Sequence, residues 1–244
     1  MFFPEIFSVE KPVMAMLHLK GNNRQERMDR CLREAEIYSR CGADAMIVED
    51  YFGDSDDAEA ALRLLSGKGY VLGVNILKDW QRSFRLADEY GARFIQIDSV
   101  SGHLRVGRDD EEFGEKIAVM RDLYPGIKVI GGVRFKYQPI LSGRPLEADL
   151  RIGMTRCDAV AVTGTGTGRD TPISKLQEFR NIAGDFPLVA AAGVTPENAA
   201  EKLSVADAAI VGSTFKDTGK DTGEVSREKV TAFMDVIKQI RTGI

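Results

Sequence analysis

The sequence predicts a closed (β/α)8 barrel, the TIM barrel, formed as a single domain over residues 1–244. The length of 244 residues is that of one complete barrel of this type. Eight short apolar runs recur at intervals of roughly 20 to 35 residues, and helically spaced apolar residues follow each of them. Four segments also repeat one phrase, in which an Asp or Arg beside small residues enters an apolar run: CGADAMIVED, YGARFIQID, RCDAVAVTG and VADAAIVGS.

The eight apolar runs are the predicted strands, in chain order at residues 12–19, 45–50, 71–76, 94–100, 128–136, 159–164, 188–194 and 208–214. Helices are predicted at residues 24–40, 56–65, 81–90 and 111–124, because each stretch ends at or near a Gly or a Pro-Gly pair. Two further helices are predicted to begin at Thr171-Pro172 and Thr195-Pro196, with the Thr as N-cap and the Pro in the first turn. A doubly wound open sheet is the alternative architecture, but an eighth unit that closes on the first favours the barrel.

The composition favours a small-molecule partner. The 33 Lys and Arg residues against 37 Asp and Glu give a net charge of -4, which predicts no basic surface for nucleic acid or anionic lipid. No apolar run reaches the length of about 18 residues that predicts a membrane span, and the start does not read as a signal peptide. We therefore expect a soluble, cytoplasmic protein. No disulfide or zinc site is expected, because the three cysteines lack CxxC spacing: Cys31, Cys41 and Cys157.

The apolar start FFPEIF has two interpretations. It could pack under the floor of the barrel or against a second subunit. The second interpretation favours a homo-oligomer.

Polar residues end most of the predicted strands. In a TIM barrel the carboxyl ends of the strands surround the active site, and alternation decides which side chains face the lumen. Polar side chains so placed are expected to face one another or a ligand, because burying them without partners is costly. The residues placed there by this reasoning are His18, Glu49, Asp50, Asn75, Gln96, Asp98, Arg134, Lys136 and Thr163.

Two alternatives remain for this ring. Its charged members could form a salt-bridged plug that only closes the top of the barrel. Lys136 could act as a Schiff-base nucleophile if burial and the neighbouring Arg134 lowered its pKa, or as a cation that holds an anionic group. We favour the cation.

Two glycine turns predict a phosphate site. Gly193 follows strand seven in AAAGVTP, and Gly212 follows strand eight in VGST, beside Ser213. Glycines leave backbone N–H groups accessible, a helix start adds a positive dipole end, and TIM barrels place phosphate at this position. The alternative is that both glycines only form tight turns.

The glycine-rich segment VTGTGTGRD at residues 162–170 lacks the GxGxxG spacing of a dinucleotide site, so no redox cofactor is expected. We interpret it as a flexible loop over the site. Thr163 and Gly164 are its expected ligand contacts.

Taken together, these motifs resemble the BtpA family of barrel proteins. The resemblance spans nearly the whole chain, through KPVMAMLHL, GADAMIVEDYFGD, VLGVNILKD, GARFIQIDSVSG, VRFKYQPIL, DAVAVTGTGTG, AAAGVTPENAAEKL and ADAAIVGSTFKDTG. It implies a barrel related to phosphate-binding barrels, with matching residues at His18, Glu49, Asn75, Lys136, Thr163, Gly164, Gly193 and Gly212. One member of the family is tied to photosystem I accumulation, and others look like sugar-catabolism proteins.

The chain departs from the family pattern in several places. KGNNRQERMDR replaces a loop rich in Pro and Gly after strand one, and Asp98 replaces an Asn in strand four. Ser101-Gly102 replaces a Thr-Gly pair, while Gly132 and Tyr137 replace an Asp and a His that flank the strand-five Lys. The substrate and chemistry can therefore differ from those of other members.

The leading hypothesis is an enzyme that acts on a phosphorylated sugar or phosphoribosyl compound by lyase or aldolase, isomerase or glycosidic-bond chemistry. In it, Glu49 and Asp98 are the general base and acid, Lys136 and Arg134 stabilise oxyanion charge, and His18 and Asn75 orient hydroxyls. A fold by itself does not show an activity. The alternative is therefore a non-catalytic assembly or stability factor that retains a ligand pocket. A third hypothesis is a lyase with a divalent cation held by Glu49, Asp50 and Asp98.

Overall fold

The computed structural model describes residues 2–243 and shows a closed parallel barrel in the order β1 to β8. Its strands are β1 Val13–Leu17, β2 Ala45–Glu49, β3 Leu72–Asn75, β4 Phe94–Ser101, β5 Lys128–Val133, β6 Ala159–Val162, β7 Leu188–Ala191 and β8 Ala208–Val211. β1 pairs with both β2 and β8, with Met14 opposite Ala45 on one side and Ile210 on the other. The (β/α)8 prediction is confirmed, and the open-sheet alternative is wrong.

Helices alternate with these strands. Within residues 2–243 they are α1 Phe2–Ile6, α2 Arg24–Cys41, α3 Ser55–Leu65, α4 Trp80–Tyr90, α5 Arg108–Leu123, α6 Leu146–Arg156, α7 Ile173–Ala183, α8 Ala199–Val205 and α9 Arg227–Thr242, with a 3-10 turn at Ser213–Phe215. Gly42 and Gly91 end α2 and α4 in the left-handed conformation, as their positions predict. None of these helices has the length and apolar character needed to cross a membrane.

The predicted Thr caps are wrong. α7 begins at Ile173 after Pro172, and the Thr171 hydroxyl donates to the carbonyl oxygen of Ala192 at 3.1 Å instead of capping the helix. α8 begins at Ala199, three residues after Pro196. In both places the Thr-Pro pair belongs to the loop that carries the chain away from the top of the barrel.

Alternation along the strands divides the core into two clusters. In β1, Val13, Ala15 and Leu17 pack outward against the helices, whereas Met14 and Met16 fill the lumen. Phe94 is the largest lumen side chain on the barrel strands and is fully buried. Gly73 makes room for it, because a Cβ at that position would lie 2.3 Å from the Phe94 ring.

The N-terminal segment closes the barrel floor. Phe3 and Phe7 belong to the lumen cluster, and the Phe7 and Phe94 ring centroids are 6.4 Å apart. Glu5 pairs with Lys128 at the start of β5, with 2.6 Å between Nζ and Oε2. The first of the two interpretations of FFPEIF is therefore confirmed.

Candidate active site

A carboxyl and amide cluster lies at the carboxyl ends of β2, β3 and β4. Asn75 Nδ2 donates to Glu49 Oε1 at 2.7 Å and to Asp98 Oδ1 at 3.1 Å. Gln96 Nε2 donates to the same Asp98 oxygen at 2.9 Å. One buried amide thus connects the two carboxyl groups, and Asn75 orients protein carboxyls at the position where a ligand contact was predicted.

A bulge aims Asp98 at the barrel mouth. The pairing register between β4 and β5 shifts between Ile97 and Ser101. The backbone of Asp98 approaches Gly132 so closely that a Cβ there would lie 2.1 Å from the Asp98 carbonyl oxygen. Gly132 is one of the positions at which the chain departs from the sequence pattern that it resembles, and here the absence of a side chain is a packing requirement.

His18 and Glu49 form a buried pair whose pKa values are shifted in opposite directions. His18 Nε2 lies 3.6 Å from Glu49 Oε2, and both side chains are almost completely buried. Burial, followed by the charge of Asp98, raises the Glu49 pKa from its ordinary 4.5 to about 8. Burial, together with the nearby cations Lys216 and Lys136, lowers the His18 pKa from 6.5 to about 3. At neutral pH, Glu49 therefore holds a proton and His18 is a neutral imidazole.

Lys136 reaches the site from the loop after β5. Its backbone N–H donates to Thr163 Oγ1 at 2.9 Å, and its Nζ donates to Thr167 Oγ1 at 3.1 Å. Its Nζ also lies 5.7 Å from the centroid of the Phe135 ring. Thr163 was predicted to contact ligand, but its hydroxyl instead fixes the backbone that presents the lysine.

Arg134 does not face the site, and this part of the prediction is wrong. Its φ of 48° places it in the left-handed region, which ends the alternation of β5. The guanidinium Nε pairs with buried Asp149 at 2.9 Å, and Phe135 fills the lumen position instead. Arg134 therefore braces α6 against the barrel.

Asp50 also points away from the cluster, because its carboxylate accepts from the Leu77 N–H at 2.9 Å. The predicted grouping of Glu49, Asp50 and Asp98 around a divalent cation is therefore not formed. Across residues 2–243, no set of three or more His, Cys, Asp or Glu side chains is arranged to hold a metal ion.

The loops after β7 and β8 meet at the predicted anion position. Ala192 and Gly193 have φ values of 82° and 68°, so two successive residues are left-handed. The Thr214 hydroxyl donates to the Val194 carbonyl oxygen at 2.7 Å and ties the two loops together. The turn at Ser213–Phe215 starts beside Gly212, and the first N–H groups of such a turn have no partners within it.

The glycine-rich segment after β6 folds onto these loops. A Cβ on Gly193 would lie 2.5 Å from the Arg169 carbonyl oxygen, and a Cβ on Gly168 would lie 3.1 Å from Ser213 Oγ. The Tyr137 hydroxyl accepts from the Thr167 N–H at 2.8 Å and tethers the segment from the β5 side. Gly164 lies beneath this fold, away from the ligand position predicted for it.

One cavity of about 300 Å³ joins these features. The sequence-predicted residues that line it are His18, Glu49, Gln96, Asp98, Lys136, Gly193, Gly212 and Ser213. Asn75, Thr163, Gly164 and Arg134 lie outside its lining. Tyr51 and Tyr137 also line the cavity and were missed, and the only signal for them is that they follow strand ends. Thr167 lines it too, from the segment that was predicted to lie over the site, but it was not singled out.

Comparison with known proteins shows one family. The model described as "BtpA family" matches residues 9–239. An uncharacterized protein of Pyrococcus abyssi is 28% identical over 257 residues, covering 95% of this chain and 97% of the relative. The photosystem I biogenesis protein BtpA of Synechocystis sp. is 22% identical over 260 residues, covering 96% and 91% of the two chains.

Solved structures share the fold. A structure described as native KDPGal has a TM-score of 0.64 and 16% identity, covering 96% of this chain and 98% of its own. Phosphoribosyl anthranilate isomerase from Thermus thermophilus has a TM-score of 0.61 and 19% identity, covering 94% and 100%. At such identities the likeness establishes the TIM barrel and leaves the chemistry to be argued from the site.

Proposed function

This chain belongs to the BtpA family, and we propose that it is an enzyme that acts on a phosphorylated sugar or phosphoribosyl compound without a redox cofactor. The observation that carries the proposal is the shared cavity. Gly193 and Gly212 line it together with Glu49, Asp98 and Lys136. An anion anchor and an acid–base pair in one enclosed space are what a reaction on a phosphate ester requires.

The phosphate group would be held by backbone N–H groups at Gly193, Gly212 and Ser213. Gly193 lines the cavity with a left-handed backbone and no side chain, and the turn at Ser213–Phe215 would supply further donors. The names of several structural neighbours include phosphorylated substrates, among them phosphoribosyl anthranilate isomerase. These neighbours support a phosphate ester as the ligand class.

Proton transfer would fall to the two carboxyl groups that Asn75 connects. Because the Glu49 pKa is raised to about 8, Glu49 is protonated at neutral pH and is placed to act as the general acid. Asp98 accepts hydrogen bonds from the Asn75 and Gln96 amides, which orient its carboxyl group, and it lines the cavity, so it is placed to act as the base. This assignment is the reverse of the order inferred from the sequence.

Lys136 would stabilise negative charge that develops on a substrate oxygen. Its ammonium lies at the cavity wall and is held by Thr167, so it is positioned before the reaction begins. Carbonyl or enediol chemistry, as in isomerases and aldolases, and glycosidic-bond cleavage all develop such charge. The cation role therefore fits each reaction class in the proposal.

A thermal-shift comparison tests phosphate binding. Ribose 5-phosphate and inorganic phosphate are expected to raise the melting temperature, and ribose is the matched control without the anion. A ligand at 100 times its Kd stabilises the native state by about 2.7 kcal/mol. Equal shifts with ribose and ribose 5-phosphate, or none with either, would remove the phosphate site from the proposal.

A non-catalytic assembly factor is the second candidate, favoured by the relative named as a photosystem I biogenesis protein. Lys136→Met and Glu49→Gln separate the two. For an enzyme, both variants stay folded and bind ribose 5-phosphate, but lose turnover of any substrate that a sugar-phosphate screen identifies. A wild type that neither binds phosphate esters nor turns them over favours the assembly factor.

A further inference from the structure

A second chamber adjoins the active-site cavity. It has a volume of about 170 Å³ and shares Leu77, Asp98 and Gln138 with the cavity. Its outer wall includes Trp80, His103 and Phe113. We call it the aromatic chamber. It borders the cavity at Asp98, where the chemistry is proposed to occur.

The three outer rings form a preorganised aromatic wall. Phe113 lies edge-on to both neighbours, with its centroid 5.6 Å from that of Trp80 and 4.9 Å from that of His103. The interplanar angles are 74° and 76°. A wall of this kind can offer ring faces and edges to a flat guest. The volume also fits one ring, since an apolar cavity of about 150 Å³ accepts benzene.

The chamber lies across the barrel mouth from the proposed phosphate position. It is formed between β3 and β4 and the helices that follow them, whereas the glycine turns follow β7 and β8. In the closed barrel, β3 lies four strands from β7 and β4 lies four strands from β8, so the two strand pairs are on opposite sides. A ligand anchored by phosphate at Gly193 and Gly212 and extending past Glu49 and Asp98 therefore points toward the chamber.

We propose that the aromatic chamber holds a flat ring carried by the substrate at the end remote from its phosphate. This inference rests on the proposed function and names its substrate class, a pentose phosphate with an aromatic or heterocyclic substituent on its anomeric end. Asp98 then lies where the sugar joins the ring. The reaction would act at or beside that junction.

The polar groups of the chamber suit such a ring. The His103 Nδ1 atom is buried and makes no hydrogen bond with any of the described residues, 2–243. Burial also lowers the His103 pKa. A neutral imidazole carries one donor and one acceptor, so His103 brings hydrogen-bonding capacity to the chamber wall. A heterocycle or a substituted benzene presents matching groups on its edge, which an aliphatic chain does not.

The chain has one tryptophan, Trp80, so its fluorescence reports on this chamber directly. Titrations compare ribose 5-phosphate with uridine 5′-monophosphate and with the 5-phosphate of phenyl riboside. We expect at least one ring compound to change Trp80 emission and to bind about tenfold more tightly than ribose 5-phosphate, the scale of one stacked ring. Ribose 5-phosphate is expected to bind without changing the emission.

Phe113→Leu tests the wall while keeping the reporter. We expect it to remove most of the tenfold preference and to leave ribose 5-phosphate affinity unchanged. Val119→Ala, on the exposed face of the same helix α5, is the matched control and should retain the preference. His103→Ala is a second wall variant, read if Phe113→Leu proves unfolded by circular dichroism.

The outcomes separate the two proposals. If ribose 5-phosphate binds and neither ring compound binds more tightly, the aromatic chamber is not a substrate site, although the proposed function stands. Equal weakening of ring and ringless compounds by the folded wall variant has the same meaning. If no phosphate ester binds, the proposed function fails and this inference fails with it.

Discussion

Replacing Glu49 by Gln should change how protein stability depends on pH. The Glu49 pKa is about 8 in the folded chain and 4.5 in its ordinary state, so the folded protein holds a proton that the unfolded chain releases between these values. The wild type therefore loses stability as pH rises from 4.5 to about 8. Since one pH unit corresponds to about 1.36 kcal/mol, the total is about 5 kcal/mol.

His18 changes stability with pH in the opposite direction. Its pKa is about 3 in the folded chain against an ordinary 6.5, so its stabilising contribution is complete above 6.5 and is lost as pH falls toward 3. Between 4.5 and 6.5 the two effects oppose each other and the wild type should be nearly flat. Above pH 6.5 only the Glu49 effect remains, and stability should fall by about 2 kcal/mol by pH 8.

Glu49→Gln should expose the His18 slope and remove the decline above pH 6.5. Gln keeps an oxygen that can accept from Asn75 Nδ2, so the packing is nearly preserved. Urea unfolding at constant ionic strength from pH 4.5 to 8 measures both proteins. The free energy of unfolding of the variant, relative to that of the wild type, should rise by about 5 kcal/mol from pH 4.5 to 8. A stability difference that does not change with pH would refute a buried, protonated Glu49, and His18→Gln should remove the opposing slope.

Three further predictions concern the scaffold of the site. Gly193→Ala should lower the free energy of unfolding by about 1–3 kcal/mol, because the φ of this residue is 68° and the added methyl would meet the Arg169 carbonyl oxygen. Calorimetry should also show weaker binding of inorganic phosphate. An affinity equal to that of the wild type would contradict a phosphate site at Gly193. Arg134→Met should cost about 3–5 kcal/mol in urea unfolding, since it leaves buried Asp149 without its nearest cation, while the affinity for ribose 5-phosphate stays unchanged. A selective loss of that affinity would return Arg134 to the site. Phe7→Ala should lower the free energy of unfolding, measured in urea, by about 3–5 kcal/mol, because it leaves a cavity at the floor of the barrel. A loss below about 1 kcal/mol would show that the N-terminal segment is not part of the core.

The strand ends show where the sequence was sufficient for the site. His18, Glu49 and Asp98 were placed by counting along apolar runs, and all three line the cavity. The same counting failed at Arg134, because β5 ends at Val133 and the next residue adopts a left-handed backbone. Alternation is a property of extended strands, so it cannot predict side-chain direction one residue beyond them.

The loops show a second limit. Thr163 and Gly164 lie at the end of β6, where a ligand contact was expected. The Thr163 hydroxyl instead accepts from the Lys136 N–H, and the segment after β6 folds back onto Gly164. Tyr137 and Thr167 both line the cavity and contact each other across 30 residues of chain. No local pattern encodes such a contact, since it depends on how two loops pack.

The sequence by itself determined the eight strand and helix units, the polar strand ends and the two glycine turns, because these follow from residue periodicity and from the backbone freedom of glycine. Only the tertiary structure decided the raised Glu49 pKa, the outward turn of Arg134 and the aromatic chamber. Each of those depends on groups brought together from distant parts of the chain, whose burial and mutual fields exist only once the barrel has closed.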